Sequence, residues 1–103
     1  MSLDFAVLGH SGAPEKSVSL KVDLHHELVA VATARRLKCF QEFADYYEDA
    51  EIAVEDLSAL AEQTEALRVH GGGSAELQCF LGALKELIAY AVAQRRTLHA
   101  IAD

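Results

Sequence analysis

The chain opens with two segments in which apolar and polar residues alternate. In residues 2–8, Leu3, Phe5 and Val7 share one side, and residues 17–22 ("SVSLKV") repeat the pattern. A period of two is typical of strands that bury one face. The segment between them, "GHSGAPEK", contains two glycines and the only proline of the chain. We therefore expect an antiparallel hairpin with a loose loop.

Most of the remaining chain follows the helical period instead. Apolar residues recur every three or four positions, which predicts three to four helices at 24–36, 38–47, 54–70 and 75–96. Asp23 and Ser74 are expected to cap the first and last helices. The arginines at 35–36 and 95–96 are expected in final helical turns, where they complement the dipole. Phe40, Phe43 and Tyr47 are predicted to form one stripe along the second helix, although the aromatic content of this segment would also suit a strand.

The predicted fold is therefore α+β, with the N-terminal hairpin packed on the helices in a single domain covering residues 1–103. A hairpin alone is marginally stable, and a chain of 103 residues supports one core. The helices 54–70 and 75–96 are joined by "GGGS", so we expect them to pack antiparallel as the main part of that core. Residues 97–103 either add a third strand or fray, and the pattern leaves both open.

The composition indicates a folded, soluble protein. Hydrophobic residues make up 51% of the chain and charged residues 24%, which is a globular balance. The first residues carry no basic leader and no apolar run is long enough to cross a membrane, so we expect a cytoplasmic protein without membrane contact. Cys39 and Cys79 lie in apolar patterns and are predicted to be buried, unpaired thiols.

The net charge of −7 is concentrated in one part of the chain. Between Cys39 and Leu67 there are nine acidic residues and no lysine or arginine. The remainder carries nine basic residues against seven acidic ones (16 minus 9), a net charge of +2. If the fold displays the negative stretch on one side, its field repels nucleic acid and attracts basic proteins.

The densest part of this stretch is "DYYEDAEIAVED", residues 45–56. Tyrosines among carboxylates suit a protein interface, because tyrosine supplies rigid contact area and keeps its hydroxyl wet. The alternative is a solvated turn before a helix, with Glu55 and Asp56 complementing the helix dipole. The candidate partner-binding residues are Glu42, Asp45, Tyr46, Tyr47, Glu48, Asp49 and Glu51.

No motif in the chain predicts a cofactor, a metal ion or a catalytic residue. A calcium loop starting at Asp45 would need glycine where Ala50 stands and glutamate where Asp56 stands. His25 and His26 are adjacent on a predicted helix and cannot both bind one ion, so we expect them on its polar face. Neither cysteine has a flanking histidine. We therefore expect a protein that is not an enzyme, and a metal-dependent enzyme using His25 or His26 is the weakest alternative.

The segments "MSLDFAVL", "VDLHHEL" and "DYYEDAE" resemble small uncharacterised bacterial proteins, and the size and acidity are similar to those of immunity proteins that neutralise polymorphic toxins. The resemblance implies a bacterial cytoplasmic protein whose partner is a basic toxin domain, typically a nuclease. It assigns no residue roles of its own. A structural subunit that forms a homodimer through a surplus apolar face of the last helix is the other function we consider.

Overall fold

Four antiparallel strands form one sheet, in which the first strand of the chain lies between the second and the fourth, and the third pairs with the fourth at one edge. The computed structural model describes residues 3–45, 48–69 and 73–102, and it confirms an α+β fold. The elements in chain order are β1 Leu3–Leu8, β2 Pro14–Leu20, α1 Val22–Ala34, a first 3-10 helix Lys38–Phe43, β3 Ala50–Ile52, a second 3-10 helix Val54–Asp56, α2 Leu57–Val69, α3 Ala75–Gln94 and β4 Leu98–Ala102.

The predicted hairpin is present, but its second strand lies earlier than expected. β2 spans Pro14–Leu20 rather than 17–22, and its first residue pairs with Leu8. Proline fits there because β2 is an edge strand, so its first residue need not donate a hydrogen bond to a neighbour. The connection shrinks to residues 9–13 and is closed by the Gly9 N–H, which donates to the Ala13 carbonyl at 2.9 Å.

The C-terminal tail does form a strand. β4 pairs with β1 on the side opposite to β2, so it lies in the middle of the sheet. β3 pairs with β4 and is the second edge of the sheet. The sequence pattern did not predict β3. Ile52 and Val54, which are β-branched and separated by one residue, were its only local signal.

Helix α1 is displaced by two residues from its predicted position. It starts at Val22, so Asp23 lies in the first turn instead of capping the helix, and Lys21 occupies the N-cap position. The helix ends at Ala34. Arg35 follows as the C-cap residue and Arg36 adopts a positive φ of 58°. The expectation that both arginines lie in the last turn is therefore wrong.

The second predicted helix is a short 3-10 helix. It covers Lys38–Phe43, and Phe40 and Phe43 are buried as expected. Both rings belong to an aromatic cluster, in which the centroid of Phe43 lies 4.8 Å from that of Phe5 in an edge-on arrangement. The expected third member of the stripe, Tyr47, lies outside the described residues.

The two long helices pack against each other and form much of the core, as predicted. A 3-10 turn, Val54–Asp56, precedes α2, so α2 begins at Leu57 rather than at residue 54. The Ser74 hydroxyl caps α3 by accepting the Leu77 N–H at 3.2 Å, and it donates to the Glu27 carboxylate of α1. Helix α3 ends at Gln94 rather than at residue 96, because Arg95 adopts a left-handed conformation.

The buried apolar residues form one cluster beneath the sheet. It joins the inward side chains of β1 and β4 to the inner faces of α2 and α3. Among the described residues, no helix combines the length and the apolarity that crossing a bilayer requires.

Candidate functional site

A cavity of about 310 Å³ opens at the sheet edge formed by β3. Three elements surround it: the first 3-10 helix, β3, and the segment that contains the second 3-10 helix and the start of α2. We call this cavity the acidic groove. Its lining residues are Lys38, Cys39, Glu42, Glu51, Ile52, Asp56, Ala59 and Leu60.

Local contacts hold these elements in place. The Gln63 side chain of α2 accepts the backbone N–H of Cys39 at 3.0 Å and so fixes the first 3-10 helix beside α2. Ile52 is almost fully buried in the core and anchors β3. The lining of the acidic groove therefore combines buried apolar side chains, Ile52 and Leu60, with exposed charged ones.

Three carboxylates from separate parts of the chain line the acidic groove. Glu42 comes from the first 3-10 helix, Glu51 from β3 and Asp56 from the second 3-10 helix, and all three are exposed. Lys38 is the cationic side chain of the lining. Three negative charges against one positive charge leave the acidic groove with a net charge of −2.

The thiol of Cys39 responds to this negative potential. Its partial burial raises the pKa, and the nearby charges of Asp56 and Glu42 raise it further. A thiolate would place another negative charge beside these carboxylates, so the neutral thiol is favoured. Cys39 is therefore a poor nucleophile at neutral pH.

Two of the predicted partner-binding residues, Glu42 and Glu51, line the acidic groove. Asp45, Glu48 and Asp49 are also exposed but are not among its lining residues. Tyr46 and Tyr47 lie outside the described residues.

Asp49 and Glu51 also have contacts within the domain. Asp49 accepts the backbone N–H of Ala102 at 2.7 Å, which ties the residue before β3 to the end of β4. Glu51 lies opposite His99 on the neighbouring strand, with 3.5 Å between Oε1 and Nδ1. These two carboxylates are therefore only partly available to a partner.

Sequence reasoning missed Asp56 and Lys38. Asp56 lay in the acidic stretch 45–56 but was not among the candidate partner-binding residues, and Lys38 lies one residue before the stretch without basic side chains. Both line the acidic groove because β3 brings the two 3-10 helices on either side of it in the chain to the same edge of the sheet. No local sequence pattern encodes this arrangement.

Two further expectations about reactive side chains are wrong. Cys79 is exposed rather than buried, and Cys39 is half-buried; both are free thiols. His25 is buried rather than on the polar face, and its Nε2 lies 2.6 Å from the carbonyl oxygen of Phe43. His26 is exposed, as predicted.

Within residues 3–45, 48–69 and 73–102, no three His, Cys, Asp or Glu side chains come together in a way that could hold a metal ion. The carboxylates of the acidic groove therefore suit electrostatic attraction better than metal coordination. The chain matches no protein-family model, no curated protein and no solved structure.

Proposed function

We propose that this protein binds a basic protein partner through the acidic groove and acts by covering part of that partner. The observation that carries the proposal is the convergence of Glu42, Glu51 and Asp56 on one open cavity. A cavity with an excess of one sign of charge concentrates the field and speeds the encounter with an oppositely charged protein.

The carboxylates of the acidic groove differ from those of Glu15 and Glu65, two acidic residues elsewhere on the surface. Glu15 is paired with Arg96, and Glu65 with both Arg68 and Lys85. Among the described residues, by contrast, no lysine or arginine forms an ion pair with Glu42 or Asp56. A basic partner would supply cations in addition to Lys38, the one basic side chain of the lining.

An immunity-type inhibitor of a nuclease toxin domain is the specific form of this function that we favour. A nuclease holds the phosphate backbone with lysine and arginine side chains, so its nucleic-acid surface is basic. An acidic groove competes for that surface by the same electrostatics. The support is the charge distribution together with the small size of the domain.

The homodimer alternative has less support. Its premise was that the core does not cover the eight apolar positions of α3. Seven of them are buried, and Val92 alone is substantially exposed, at 46%. An apolar surface this small offers little to a second copy.

The proposal is tested with a fluorescent peptide of about ten residues in which lysine and threonine alternate. The double variant E42Q/D56N should bind about three- to tenfold more weakly than the wild type and should lose much of the salt dependence. The control E76Q/E86Q removes two exposed carboxylates from α3, which changes the net charge equally. Equal affinities for the two double variants would show that the acidic groove is not the binding site.

The nuclease form of the proposal needs its own measurement. Added protein should slow DNA cleavage by a basic nuclease domain encoded beside its gene, and E42Q/D56N should inhibit less than E76Q/E86Q. Cleavage that is unaffected by the wild type would remove the immunity role and leave the binding proposal standing.

A further inference from the structure

The two edges of the sheet are protected to different degrees. β2 begins with Pro14 and carries Lys16, and proline and lysine are residues that keep foreign strands away from a sheet edge. β3 has neither, and its one charged residue is Glu51. Its negative charge discourages an acidic strand and favours a basic one.

The hydrogen-bond register shows which backbone groups face outward from β3. The Ala102 N–H donates to Asp49, so at this position the backbone of β4 points toward the β3 side. Directions alternate along a strand, and the backbone of Ala100 and Leu98 therefore points the same way, toward Ala50 and Ile52. The intervening residue Glu51 must then direct its own N–H and C=O away from β4. They face the side of β3 on which no strand pairs within the described part of the chain, and we call this side the free edge.

The acidic groove lies beside this free edge. Glu51 supplies both outward backbone groups and one of the carboxylates, while Glu42 and Asp56 supply the others that line the cavity. A lysine or arginine on a segment paired with β3 would come within reach of these carboxylates. Backbone pairing and charge attraction thus act at the same place.

A second copy of this protein does not suit the edge. Two β3 edges paired with each other would bring Glu51 of one copy near Glu51 of the other, together with both sets of groove carboxylates. Like charges facing each other across a strand pair are destabilising. The charge pattern selects a basic segment from a different protein.

We propose that the basic partner binds by adding an extended segment to the free edge of β3, where it hydrogen-bonds to the backbone of Glu51 and places a lysine or arginine in the acidic groove. This inference rests on the proposed function and specifies the geometry of binding. β3 has only three residues, so backbone pairing is short and the charges supply much of the affinity.

The alternating lysine–threonine peptide also tests this inference, through two variants of one residue. E51Q removes the charge of Glu51 and keeps its N–H, whereas E51P removes both. Because this N–H points away from β4, proline breaks no hydrogen bond of the native sheet, and edge strands tolerate it there. We expect E51P to bind about tenfold more weakly than E51Q.

A second measurement covers the case in which E51P does not fold. In the wild type, hydrogen exchange of the Glu51 amide should slow when the peptide binds, while the amide of Glu86 on α3 should not change. Unchanged exchange at Glu51, or equal affinities for E51P and E51Q, would overturn strand addition. If E42Q/D56N still weakened binding, the proposed function would stand. Binding that no groove variant alters would overturn both.

Discussion

The Asp49 carboxylate accepts a hydrogen bond from the backbone N–H of Ala102 at 2.7 Å. This contact joins the residue before β3 to the last residue of β4, across more than fifty residues of sequence. Asp49 immediately precedes β3, so its carboxylate gives β4 one more hydrogen-bond acceptor beyond the paired residues of β3. One of the most conspicuous acids of the sequence therefore stabilises the fold.

Replacing Asp49 with alanine should lower the free energy of unfolding by about 1 kcal/mol, because the Ala102 N–H loses a charged acceptor. The neighbouring exposed carboxylate provides a matched control, since Glu48→Ala removes the same kind of charge and should change stability by less than about 0.5 kcal/mol. Urea denaturation measures both. Equal losses in the two variants would mean that the hydrogen bond contributes nothing.

The adjacent histidines should respond very differently to substitution. A carbonyl oxygen only accepts, so the His25 Nε2 carries the proton that it donates to Phe43. His25→Ala leaves that carbonyl without this donor and opens a gap in the core, which should cost about 2 kcal/mol. His26→Ala changes an exposed side chain and should cost little. Thermal and urea unfolding would contradict this account if both variants behaved alike.

The reactivity of the Cys39 thiol measures the electrostatic potential of the acidic groove in the absence of any partner. Its raised pKa predicts slower alkylation by iodoacetamide at neutral pH than at the exposed Cys79. E42Q/D56N removes the two charges that raise this pKa, so the pH midpoint of Cys39 alkylation should fall. E76Q/E86Q should leave it unchanged. Peptide mass spectrometry resolves the two cysteines, and an unshifted midpoint in E42Q/D56N would refute the electrostatic coupling.

Tyr90 of α3 donates a hydrogen bond to Glu15 of β2, and this contact predicts that the free energy of unfolding depends on pH. Hydrogen bonds from Tyr90 and Arg96 hold the pKa of Glu15 below its ordinary value of 4.5. A lowered folded pKa stabilises the protein above the unfolded pKa, and this contribution is lost as the pH falls through the folded value. Glu15→Gln should therefore lose less stability than the wild type between about pH 6 and pH 3. Glu86→Gln, whose carboxylate has no ion pair among the described residues, should follow the wild type.

Sequence reasoning located the elements whose periodicity is long and regular. The α2 and α3 helices begin within a few residues of their predicted starts, because many apolar positions agree on one face. Predicted element ends were less accurate where a local conformation intervened. Arg36 and Arg95 adopt positive φ angles, which a helical pattern does not reveal in a residue other than glycine.

The candidate site was predictable in charge but not in geometry. Every described acid between Glu42 and Asp56 is exposed, as the solvation cost of burying unpaired carboxylates requires. The spacing of these acids along the chain does not show which of them line the same cavity. Glu42 and Asp56 meet because β3 brings the intervening chain to the sheet edge, and a strand of three residues has almost no periodic signal.

The sequence by itself determined the α+β class, the hairpin, the long helices and the concentration of negative charge, because each depends on residues that are close together in the chain. Only the tertiary structure decided that β4 lies in the centre of the sheet and that Asp49 accepts a hydrogen bond from it. It also decided that Glu42, Glu51 and Asp56 line one cavity. Those relationships join distant segments. They are set by how the sheet and helices bury a common core, and local preferences do not encode them.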